Sequence, residues 1–355
     1  MSARFSLDRL EYPIIQAPLG GGPSTPALAA AVSAGGGLGF VAAGYRKPEA
    51  VREDIRDVRE RTDRPFGVNM FVPSPPAAVS ERVERYAEAL RGEAERYGVA
   101  LGQPRHDDDR FGEKLELLAE ERVAVVSFTS GCPESSVVEE LHRAGSAVWT
   151  TVTTPAEAIR AERAGADALV VQGVEAGGHR ASFDDESAGE IGLLALLQLV
   201  AAKVDPPLVA TGGIASGRGV AAVLAAGAEA AALGTAFMLT PEAGTSPAHR
   251  DAIASDAETA LTRAFTGRTA RGVVNRFLRE HDADAPSAYP EVHHLTAPVR
   301  AAARDAGDRD GFHLWAGQAH ALAEALPAAE LVRRLADDAR QALRDALARH
   351  GGAAL

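Results

Sequence analysis

Cysteine is almost absent: Cys132 is the single one in 355 residues. That excludes an internal disulfide framework and fits a reducing compartment. No Lys/Arg block interrupts a net charge of −12, which argues against a nucleic-acid partner. The opening "MSARFSLDRLEYP" has no apolar h-region, so no signal peptide is read there. A membrane-length apolar run is missing too. The longest low-charge stretch, "GVAAVLAAGAEAAALGTAFML" (219–239), is dominated by Ala and Gly, carries Glu229, and divides into helix, turn and strand. H-E-x-x-H and paired-cysteine spacings are lacking, so no metal site is read, and His293 and His294 are taken as part of a solvated loop. These absences leave a cytoplasmic globular protein with neither membrane nor nucleic acid as partner.

What is present is a pulse. Eight short runs, "YPIIQAP", "GGLGFVAA", "PFGVNMFV", "RVAVVSFT", "SAVWTTV", "ADALVVQG", "PLVATGG" and "AALGTAF", are almost continuously apolar, as strands buried on both faces must be. Helical segments alternate with them: Pro26–Ala34, Pro48–Arg61, Pro133–Ala144, Pro155–Ala164 and Gly217–Ala226. Several open on proline and close on glycine, the usual asymmetry of helix ends. Eight such pairs predict a (β/α)8 TIM barrel, with an open doubly wound sheet as the alternative. Residues 74–110 read as a charged helical insertion after strand three. The barrel is expected over 1–245 and a smaller, mostly helical C-terminal domain over 246–355, its last helix packing back on the barrel. Within that second part, "DADAPSAYPEVHH" reads as exposed.

On such a barrel the chemistry sits where strands end. Strand one ends in "QAPLGGG", strand three carries Asn69, and strand six delivers Gln172 and then "GVEAGGHRA". Strands seven and eight end in "ATGGIASGRG" and "LGTAF", glycine turns leading into helices. Adjacent turns of this kind hold a phosphate on backbone N–H groups; the plainer reading is that they are only tight turns. "GLGFVA" (37–42) formally fits a dinucleotide fingerprint, but its glycines precede the strand, and it is rejected. His179 stands behind two glycines at a strand end, able to take a proton from a weak carbon acid or to bind a developing anion. Cys132 has no basic partner and is read as a bystander.

The series "PIIQAPLGGG", "GVNMFVP", "GADALVVQGVEAGGH", "LVATGGIASGRGVAAVLAAGAEAAALGTAFM", "AFTGRTARGVVNRF" and "LWAGQAHALAEALPAAELVRRL" resembles the nitronate monooxygenase family across nearly the whole chain. The resemblance implies an FMN-dependent barrel enzyme that oxidises alkyl nitronates, or nitroalkanes, with O2 to a carbonyl compound and nitrite. It places the catalytic histidine at His179 and cofactor contacts at Ala17, Pro18, Leu19, Asn69 and Gln172. Gly177 and Gly178 would lie beside the flavin, and Gly212, Gly213, Gly234 and Thr235 would hold its phosphate. The chain departs from the pattern at Leu19, where many members have Met, at Thr211, where many have Ala, and at Ala181, which replaces the glycine of H-x-G.

The alternative of the same kind is an FMN-dependent NAD(P)H enoyl-acyl-carrier-protein reductase. A phosphosugar isomerase or aldolase would want a lysine or carboxylate at a strand end, and none is offered. A non-enzymatic flavin carrier would not need His179 in its glycine-rich setting. The run "LLALLQLVAA" and the Ala-rich helices suit either a homodimer interface or the barrel's own surface.

Overall fold

The computed structural model describes residues 4–75, 80–186 and 189–350; residues 76–79 of the expected insertion lie outside them. Eleven strands are formed among the described residues: β1 (Ile14–Gln16), β2 (Phe40–Ala42), β3 (Gly67–Phe71), β4 (Val125–Thr129), β5 (Ala147–Val152), β6 (Ala168–Gln172), β7 (Gly178–His179), β8 (Leu208–Thr211), β9 (Ala230–Leu233), β10 (Thr259–Thr262) and β11 (Ala270–Val273). Eight of them run parallel in the order β1-β9-β8-β6-β5-β4-β3-β2. A parallel bridge from Ile15 to Leu38 joins the two ends into a barrel. This is the expected TIM barrel, and all eight staves fall on the eight apolar runs.

Local chemistry explains the helices between them. Thr25 caps Pro26–Ala34 by accepting from Leu28 N–H at 3.0 Å, and Thr154 caps Pro155–Ala164 by accepting from Glu157 N–H at 3.2 Å. The low-charge run at 219–239 resolves into the helix Gly217–Ala225 and strand β9. Among the described residues no helix is long and apolar enough to cross a membrane. Inside the barrel, Phe40 and Trp149 pack at 5.8 Å and close the space beneath the strand ends. Gly67 makes that possible: a Cβ there would come within 2.2 Å of the Phe40 ring.

The insertion carries the helices Glu81–Ala89 and Arg91–Tyr97, and Phe111–Glu121 follows before β4. Beyond residue 246 lie the helices Pro247–Ile253, Arg276–His281, Glu291–Asp305 and Ala328–His350, the last against Gly217–Ala225 and Pro26–Ala34. The sequence reading missed a three-stranded antiparallel sheet in this region, ordered β10-β11-β7. Its strands have no alternating pattern, because Arg271 in β11 is buried and bonds to the carbonyl oxygens of Val174 and Thr259. Through β7 this sheet takes hold of the segment that follows β6.

Candidate active site

The strand ends surround a cavity of about 440 Å3 floored by Phe40 and Trp149. Every residue expected to be catalytic or to contact the cofactor lies on its wall: Ala17–Leu19 after β1, Asn69 from β3, Gln172 from β6, Gly177–His179, Gly212–Gly213 after β8, and Gly234–Thr235 after β9. Cys132 lies elsewhere, its Sγ near the carbonyl oxygens of Pro133 and Arg160, with burial pushing its thiol up.

Part of the cavity wall is made of backbone. No acceptor in the described chain takes the N–H groups of Gly213, Gly234 or Thr235, so they stay open to an anion. Gly213 needs its missing side chain: its φ is +65° and a Cβ would meet Glu175 at 2.8 Å. Thr235 Oγ1 accepts from Gly317 N–H at 3.0 Å, which leaves its hydroxyl proton for a ligand. Thr211, by contrast, spends its hydroxyl on the carbonyl of Ala232 at 2.9 Å.

Another part of the wall is built around His179. Its strand β7 pairs with β11 through Ala270, and its carbonyl accepts from Gln172 Nε2 at 3.2 Å. Gln172 Oε1 in turn accepts from Ala181 N–H at 2.9 Å, so this amide clamps the histidine segment on both sides. Asn69 is similarly committed, donating Nδ2 to the hydroxyls of Ser127 at 2.9 Å and Thr129 at 2.7 Å. His179 Nε2 lies 2.9 Å from Thr266 Oγ1. That hydroxyl lies 3.3 Å from the carbonyl of Arg268, to which it can donate, and 3.4 Å from the Arg268 N–H, from which it can accept. It can therefore serve Nε2 as acceptor or as donor, while Nδ1 meets no partner among the described residues. Burial, then the Arg268 guanidinium, lowers the histidine to about 3. It is neutral at physiological pH.

Aromatic rings close around it, with centroids of Tyr289 at 5.6 Å, Trp315 at 5.8 Å and Phe71 at 6.5 Å. Tyr289 belongs to the segment read as exposed, and His293 to the supposed solvated loop. Both readings are corrected here: His293 is on the helix Glu291–Asp305, lines the cavity and stacks on Tyr45 at 4.5 Å. Thr266, Trp315, Gly317 and Arg300 were also missed. The signal for the helix wall was its spacing, since His293, Ala297, Arg300, Ala301 and Arg304 share one face and all line the cavity. A buried arginine looks like a surface arginine until its partners are known.

The family model described as Nitronate monooxygenase matches residues 2–338. A nitronate monooxygenase of Pseudomonas aeruginosa is 44% identical over 353 residues, covering 96% of this chain and 100% of its own. Among solved structures, nitroalkane oxidase from Streptomyces ansochromogenes is 51% identical, with a TM-score of 0.93 over 96% of this chain and 99% of that one. FabK from Thermotoga maritima is more distant, at 29% identity and a TM-score of 0.77 over 97% and 98%. The chain belongs to the nitronate monooxygenase family, and it is an oxidoreductase.

Proposed function

We propose that the cavity binds FMN and that the enzyme oxidises alkyl nitronates, and nitroalkanes deprotonated at His179, with O2 to a carbonyl compound and nitrite. The observation that carries this reading is a neutral histidine with no partner at Nδ1, on the wall of the same cavity as a cradle of unpaired amides. The cradle suits a phosphate, because the space a Cβ would take at Gly213 is kept clear and the Gly213, Gly234 and Thr235 amides are free. Gly212 completes that turn. Ala17, Pro18, Leu19, Asn69 and Gln172 would border the ring system, with Gly177 and Gly178 beside it.

Bound there, FMN supplies the electron transfer and the reaction with O2; the protein supplies orientation and electrostatics. His179 Nδ1 takes the α-proton from a neutral nitroalkane, while a preformed nitronate needs no such step. With its own proton turned to the Arg268 carbonyl, the Thr266 hydroxyl accepts from Nε2 and leaves Nδ1 as the base. The rings of Phe71, Tyr289 and Trp315 exclude water from the reacting carbon. The test is product analysis in air: nitrite and the matching carbonyl compound should form together from an alkyl nitronate. Failure to release nitrite contradicts the proposal.

A further inference from the structure

We infer that Arg300 is a positioning residue that fixes His293 and His313 as N–H donors into the cavity, where they bind the oxygens of the nitronate. This rests on the nitronate reading above. The guanidinium is buried, at 6% exposure, and no carboxylate among the described residues forms an ion pair with it. A buried cation normally needs such a partner. Here the donors are spent otherwise. Nε donates to Thr296 Oγ1 at 2.9 Å, and that hydroxyl itself donates to the Phe265 carbonyl at 2.5 Å. Nη2 donates to His293 at its carbonyl, 2.9 Å, and at its Nδ1, 3.2 Å. Nη1 donates to His313 Nδ1 at 3.3 Å.

A guanidinium can only donate, so both Nδ1 atoms are acceptors and the ring protons sit on Nε2. Neither Nε2 meets a partner among the described residues, and both histidines line the cavity. Stacking on Tyr45, with the planes 4° apart, fixes the His293 ring. Burial and the Arg300 charge both hold the two rings neutral. The result is a pair of uncharged donors backed by a fixed positive charge. Such a wall accepts the delocalised oxygens of a nitronate and cannot quench them by giving up a proton.

The test uses the flavin-loaded enzyme and histidine-selective 15N NMR without substrate, with H293N and H313N identifying the two rings. Wild type should show both rings with unprotonated Nδ1, and R300M should lose that state. With ethyl nitronate, R300M and H313N should raise KM by about tenfold or more, the loss of one or two hydrogen bonds, with kcat changed much less. R300K, whose ammonium cannot serve both rings with a planar fork, should recover only part of the loss. Protonated Nδ1 in wild type, or an unchanged KM in R300M, overturns the inference. If R300M does not fold, R300K and H313N decide by the same criteria. If wild type releases no nitrite from ethyl nitronate, the functional reading falls, and the NMR result still judges the tautomers.

Discussion

His179 Nε2 and Thr266 Oγ1 stand 2.9 Å apart across the junction between the barrel and the antiparallel sheet. One residue comes from the segment after β6 and the other from the β10–β11 connection, so the base is oriented only when both parts of the molecule are in place. Thr266→Ser keeps the hydroxyl and should keep activity on neutral nitroalkanes. Thr266→Val removes it, frees the tautomer and should lower kcat/KM for nitroethane by about tenfold, the value of one oriented hydrogen bond, with little change for ethyl nitronate. Equal losses on both substrates would mean that Thr266 only supports the fold.

His179→Asn separates the proton step from the later redox chemistry. Turnover of neutral nitroalkanes should fall by about 10²–10⁴, the usual worth of a general base. Preformed nitronates should be affected far less. Parallel loss on the two substrates assigns the histidine to anion stabilisation instead.

Acid should destabilise the folded protein early. Burial lowers His179 to about 3, His249 to about 4 and His293 to about 2 from the ordinary 6.5. Below 6.5 the unfolded chain takes up protons at these rings while the folded chain does not, so stability present at higher pH is lost as the pH falls. Each ring contributes about 1.4 kcal/mol per pH unit of that loss until its folded value is reached. Tm measured between pH 7 and pH 4.5 should drop steeply, starting near 6.5. A flat profile contradicts the neutral state of these rings. The acid limb of kcat/KM for nitroethane should likewise lie well below 6.5.

Gly177 is a contact point. A Cβ there would stand 2.5 Å from the Ala316 carbonyl carbon and the Gly317 nitrogen. Gly177→Ala should therefore cost about 1–3 kcal/mol of stability by overpacking. It should also loosen FMN, because Gly317 N–H braces Thr235 at the amide cradle. Tm and the flavin-to-protein absorbance ratio check both effects together.

The barrel was legible because its strands are buried on both faces and so appear as unbroken apolar runs, while proline and glycine mark the helix ends. Pro26–Ala34, Pro48–Arg61 and Pro155–Ala164 are found at the bounds read from the sequence. The residues at the strand ends could be gathered from that pattern alone. The other half of the cavity could not. β10 and β11 are four residues long, and the buried Arg271 breaks their pattern. Arg300 finds its partners in His293 and His313, seven residues before it and thirteen after, where no local period connects them. Polar residues that satisfy one another in a buried wall look, one at a time, like a solvated loop.

Nitronate oxidation on a bound flavin is tested most simply by the visible spectrum of the purified enzyme, recorded anaerobically before and after adding propionate 3-nitronate with no nicotinamide present. An oxidised-flavin spectrum that bleaches on addition of the nitronate is expected. A flavin that ignores the nitronate but bleaches with NADH or NADPH would point to the enoyl reductase instead. A protein that takes up no FMN on reconstitution would contradict the reading of the cavity itself.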